Sequence, residues 1–186
     1  MKLLIQILIL SSTLFMWSCK NNSETASSGS TDVNAAQDMV GQSTVQDDVS
    51  NPNIVQVAIS SPDHTTLVTA VKAAGLVDVL SNAGPFTVFA PVNAAFDKLP
   101  KGTVEGLLKP EAVNDLKNIL EYHTYVGNLR IEYMQDGQAY EQVNGGKVTI
   151  TQKDGKVFVN GNSEILASIY TSNGIIHVVN EVLLPK

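Results

Sequence analysis

A chain of 186 residues with 44% hydrophobic side chains suits one globular domain, alone or with appendages. The net charge of −6 and the lack of any Lys/Arg cluster give a nucleic-acid partner no electrostatic support. With Cys19 as the sole cysteine, no intramolecular disulfide can form.

The chain opens MKLLIQILILSSTLFMWSC. The apolar run at residues 3–10 is too short to span a bilayer. It fits the apolar region of a secretory signal peptide. Ser18 and Cys19 after such a run resemble the lipobox of bacterial lipoproteins, although Met16 stands where leucine is usual and Trp17 is bulky. By that resemblance residues 1–18 are a lipoprotein signal peptide and Cys19 becomes a lipidated N-terminus. The alternative is an ordinary signal peptide with an incidental cysteine. Acyl chains bury at about 0.8 kcal/mol per CH₂, and two or more together anchor stably. Residues 20–50 are rich in Ser, Thr, Asn, Gln and Asp. They cannot bury enough surface to offset chain entropy, so residues 19–50 read as the lipidated cysteine and a disordered tether. Such a coil holds the following domain roughly 30 Å from the membrane.

From residue 51 to 186 apolar residues become frequent and periodic, as in one domain with no internal repeat. SPDHTTLVTAVKAAG reads as a helix. Ser61 can cap it, Pro62 suits its first position, Asp63 favours its positive end, and Gly75 suits its stop. Leu67, Val68, Val71 and Ala74 share one face. LVDVLSN is a second short helix. GPFTVFAP is apolar on both alternating faces, which predicts a strand covered on both sides. NAAFDKLP follows as a short helical turn with Asn93 as its cap. GTVEGLL and PEAVNDLKNILEYH are two helices split by Pro110. In the second, Val113, Leu116, Leu120 and His123 share the apolar face. The last third reads as strands. KVTITQKDGKVFVNG is a hairpin through Asp154 and Gly155, ILASIYTSNG ends at Asn173 and Gly174, and IIHVVNEVLLP is a buried central strand. Helices first and strands last predict an α+β or mainly β class.

LEYHTY, with His123 between Tyr122 and Tyr125, could serve acid–base chemistry, metal binding, recognition, or only a buried polar strut. Neither His64, His123 nor His177 has a His, Cys or Asp at metal-ligand spacing, so no metal is expected. His64 lies near a helix start and suits local hydrogen bonding. His177 sits inside an apolar strand. No G-x-S-x-G elbow or phosphate loop is present. Gly145 and Gly146 suit a hairpin turn. The scattered carboxylates of the helices read as solvated faces.

Three segments together resemble one family. GPFTVFAPVNAAFDKLP is similar to the first conserved segment of the fasciclin domain, LEYHTY to its tyrosine–histidine motif, and SNGIIHVVNEVLLP to its closing segment. The resemblance implies a wedge with a β-sandwich-like core of about seven strands flanked by several helices. It implies a non-enzymatic adhesion or interaction module with no cofactor. It makes the motif histidine structural, bonded near the first segment, with Asn93 or a backbone carbonyl as partner. It also brings a partner-binding role for Tyr122, His123 and Tyr125. Val126 and Gly127 stand where the family often has Pro-Gly.

The combined expectation is an envelope-anchored module, lipid-tethered to a bacterial membrane and facing the periplasm or the cell surface. It would bind extracellular proteins or glycans in adhesion or biofilm formation. The alternatives are a small-ligand-binding lipoprotein with a pocket between helices and sheet, and a hydrolase using His123 with a carboxylate.

Overall fold

A computed structural model describes residues 51–185. The expected signal peptide (residues 1–18), Cys19 and the expected tether fall outside the described residues. Among the described residues, six α-helices and seven strands follow in chain order: α1 Ile54–Ser60, α2 Thr65–Ala73, α3 Val77–Ser81, β1 Phe86–Pro91, α4 Asn93–Phe96, α5 Thr103–Leu107 and α6 Val113–Tyr122, then β2 Thr124–Val126, β3 Ala139–Glu141, β4 Lys147–Lys153, β5 Lys156–Val159, β6 Ser163–Thr171 and β7 Gly174–Val179. The strands form one mixed sheet in the order β2-β1-β7-β6-β5-β4-β3. All neighbours are antiparallel except β1 and β7. The sheet curls until its two ends meet, where Val143 N–H donates to the Thr124 carbonyl at 2.9 Å. The rings of Tyr125 and Tyr140 meet edge to face across the same seam. The expected sandwich-like core is therefore a single sheet, nearly closed like a barrel.

Alternation along β1 divides the core. Val88 and Ala90 face the helices, packed with Leu67, Val71, Leu120 and Ile176. Phe89 faces the barrel interior with Val148, Ile150, Val159 and Val179. Burial on both faces explains the nearly continuous apolar sequence of β1 and β7. The Asp154-Gly155 hairpin forms as predicted, with both residues at positive φ (52° and 75°).

Several elements differ from the sequence expectation. Helix α1 is not among the expected elements, although Asn53 and Gln56 make a reciprocal capping box at its start. Strands β2 and β3 have three residues each, too few to show a period. The helix expected from Ser61 begins as a 3₁₀ turn at Pro62–His64, and the Ser61 hydroxyl bonds the His64 ring instead of a backbone N–H. The last strand ends at Val179. Beyond it the Asn180 side chain accepts from Glu164 N–H, and the chain turns toward the helices.

The turn from β6 into β7 is a fastening point. Asn173 Oδ1 accepts from Ile54 N–H at 2.9 Å, and Nδ2 donates to the carbonyls of Leu80 and Asn82 at 2.8 and 3.0 Å. One buried amide thus ties α1 and the end of α3 to the sheet. Gly174 follows, where a Cβ would overlap the Phe86 carbonyl oxygen at the start of the β1–β7 pair. The oxygen belongs to the backbone of a paired strand, as does the Gly174 Cα that would carry the Cβ, so neither can step aside. Gly174→Ala is expected to lower stability by about 3 kcal/mol, read as a drop in the urea midpoint. An unchanged midpoint would refute this close approach.

Candidate functional site

Residues Leu120 to Tyr125 carry the family resemblance, and the structure shows what each does. Helix α6 ends at Tyr122 with His123 as its cap. The helical phase that groups His123 with Leu116 and Leu120 holds, since all three are buried. Nδ1 of His123 lies 2.8 Å from the Ile119 carbonyl, and Nε2 accepts from Leu183 N–H at 2.9 Å. A carbonyl on one side and an N–H on the other fix the neutral tautomer with the proton on Nδ1. Burial holds the pKa down at about 4, against the carbonyl of Ile119, which favours the charged form.

His123 does not reach Asn93 by its side chain. Its backbone carbonyl instead accepts from Phe89 N–H at 2.9 Å, so the link to the first segment runs through the main chain. Asn93 serves a different helix. Its Oδ1 accepts from Thr66 N–H at 3.0 Å and from the Thr65 hydroxyl at 3.2 Å, while Nδ2 donates to the Pro62 carbonyl at 3.0 Å. It thus caps α2 from across the fold. Its own helix, α4, has it at the first helical position rather than at the cap.

Tyr122 and His123 are 3% and 2% exposed. That burial removes both from the surface a partner could touch. The Tyr122 hydroxyl donates to the Lys147 carbonyl and accepts from Asn160 Nδ2, pinning α6 to β4 and to the turn after β5. Gly146 sits flat against its ring. Tyr125 is half-buried at the seam with Tyr140. At the motif's end, Gly127 has φ +145° and lies against the Tyr125 ring.

The other histidines are also enclosed. His177 stacks on Phe89 and bridges the Ser168 hydroxyl and the Leu129 carbonyl at 2.8 and 2.7 Å. His64 shares a hydrogen bond with Ser61, and its Nε2 faces the Ala90 carbonyl without reaching hydrogen-bond geometry. Burial depresses the pKa of both. No group of His, Cys, Asp and Glu among the described residues could hold a metal ion.

Open surface lies elsewhere. The apolar spaces beside His123 measure about 40 and 30 Å³, room for little more than a water molecule. A polar cleft of about 540 Å³ opens where β1 and β7 begin and β6 ends. Arg130, Asn128, Tyr170, Thr171 and Ser172 line it. The Arg130 guanidinium carbon sits 5.5 Å from the Tyr170 ring centre, and the Tyr170 hydroxyl donates to Glu132 at 3.1 Å. Tyr133, 70% exposed, lies near enough to bear on the ionisation of Tyr170. Sequence reading missed this cluster because its members come from separate loops and a strand end.

Two outcomes test the motif. With His123 neutral in the fold and titrating near 6.5 when unfolded, its stabilisation is complete above pH 6.5 and is lost as pH falls toward 4. His123→Gln is expected to lower stability by about 1–3 kcal/mol at pH 7 and to flatten the loss between pH 6.5 and 4, measured by urea unfolding across that range. Asn93→Ala is expected to lower stability by about 1–2 kcal/mol through the uncapped α2, read in the same assay.

Residues 62–185 match the Fasciclin domain family. Protein sll1483 of Synechocystis is 49% identical over 132 residues, covering 71% of this chain and 73% of that protein. The cell surface glycolipoprotein MPB83 of Mycobacterium bovis is 31% identical over 156 residues, covering 81% of this chain and 68% of that protein. Among solved structures, the FAS1 domain pair of the insect cell adhesion molecule fasciclin I superposes with a TM-score of 0.65 at 17% identity, covering 72% of this chain and 51% of the pair. The motif, the nearly closed sheet and these matches agree: the chain belongs to the fasciclin domain family.

Proposed function

We propose that this chain is an adhesion-type module that meets extracellular protein or glycan partners while anchored to a bacterial envelope through lipidated Cys19. The observation that carries the reading is similarity over 81% of the chain to a protein named a cell surface glycolipoprotein. The chain is also 37% identical over 124 residues to the transforming growth factor-beta-induced protein ig-h3 of Sus scrofa, spanning 17% of that protein. The N-terminal sequence supports the anchor, with its short apolar run, its single cysteine and its polar spacer. Chemistry at the motif has little support. His123 has both ring nitrogens committed to backbone groups, and no carboxylate is among them.

The small-ligand reading keeps one favourable observation, the cleft of about 540 Å³, which falls in the range of ligand sites. The enclosed apolar spaces do not.

The test combines envelope fractionation with protease added to intact cells. The expected result is a membrane-bound protein cleaved from outside, and a Cys19→Ala variant found in the soluble fraction. Deletion of the gene is expected to reduce attachment to matrix. Partition independent of Cys19 would remove the anchor, and parental attachment after deletion would remove the adhesion role.

A further inference from the structure

We infer that the cleft between Arg130 and the Ser172 turn is a binding site for acidic sugar residues, with the uronate carboxylate on Arg130; this rests on the reading of the chain as an extracellular interaction module. Among the described residues, Arg130 is the only charged side chain lining the cleft. Among the described residues the ion pairs are Lys98–Glu181 and Lys156–Glu164, so the Arg130 guanidinium has no carboxylate partner. It lies over the Tyr170 ring, a support that restricts its plane and leaves its N–H fork for a two-pronged contact with a carboxylate. The ring is itself held, because the Tyr170 hydroxyl donates to Glu132. That bond engages Glu132, which does not line the cleft.

The remaining lining sets the rest of the ligand. Asn128 and Ser172 offer an amide and a hydroxyl, suited to ligand hydroxyl groups, while the Thr171 hydroxyl donates to the Gly174 carbonyl at 2.9 Å and keeps only its acceptor side. The Asn173 amide cannot contribute, since it is spent on Ile54, Leu80 and Asn82. Tyr170 is the tyrosine of the lining, and Tyr133, exposed nearby, lies outside it. A single cation, neutral polar groups and one aromatic ring match a polyhydroxylated ring bearing one carboxylate. An acidic peptide would use the cation but leave most of the polar lining unmatched. The volume of about 540 Å³ also lies within the usual range for small ligands.

The test is calorimetric titration of the full chain with tri-galacturonate, neutral galactotriose and a hexaglutamate peptide. The expected result is saturable binding of tri-galacturonate, weaker by about tenfold or more for galactotriose and the peptide. Arg130→Gln is expected to lose about tenfold or more and Arg130→Lys less. Both should keep the parental melting temperature, because Arg130 is exposed. No binding of tri-galacturonate at about 1 mM, equal binding of galactotriose, or indifference to Arg130→Gln would overturn the site. Equal or tighter binding of hexaglutamate would overturn the sugar in favour of a protein partner. The attachment assay separates this inference from its foundation. If cells carrying Arg130→Gln attach like the parent while deleted cells do not, the module reading stands and the cleft's role falls. If deletion leaves attachment intact, the module reading falls whatever the cleft binds.

Discussion

The parallel pairing of β1 with β7 is the constraint on which the rest of the fold depends. These are the first and last strands in chain order, with Phe86 beside Gly174 and Pro91 beside Val179. Parallel neighbours need a long crossover, and here the crossover contains most of the domain. Because β7 is paired on both edges and buried on both faces, helices must cover one side and the curled sheet the other. The Phe86 carbonyl leaves no room for a side chain at Gly174. The Asn173 amide beside it then fixes α1 and α3 to the same corner.

The tyrosine–histidine segment closes what that pairing opens. Tyr122 reaches β4, His123 reaches the segment after β7, and Thr124 and Tyr125 meet the far end of the sheet. A neutral histidine suits this place because it donates on one side and accepts on the other. A charged one would turn its acceptor into a second donor facing Leu183 N–H. The same commitment explains why the motif makes a poor contact surface. Its polar groups are already satisfied inside, and exposing them would leave partners unpaired.

The open polar surface lies in the loops around the motif rather than in the motif itself. The cleft lies where β1 and β7 begin and β6 ends, so Asn128, Arg130 and Ser172 are presented beside the sheet without being part of the core. Such loops can vary in chemistry while the fold stays intact.

Several parts of this protein were determined by the sequence alone. The helical period gave α2 and α6 and placed His123 on the buried face of α6. The two-residue period and Asp154-Gly155 gave the β4–β5 hairpin. Apolar residues on both faces marked β1 and β7 as covered. Those features are local, and periodicity records them wherever an element is long enough to show one. Only the tertiary structure decided the partners. Leu183 meets His123 from 60 residues away, Asn93 caps a helix 27 residues earlier in the chain, and Glu132 holds Tyr170 across 38 residues. A period states that a face is buried and leaves open against what. The donors and acceptors of a histidine or an asparagine can be met by any backbone group the fold brings near, and that choice is made by how the chain closes on itself.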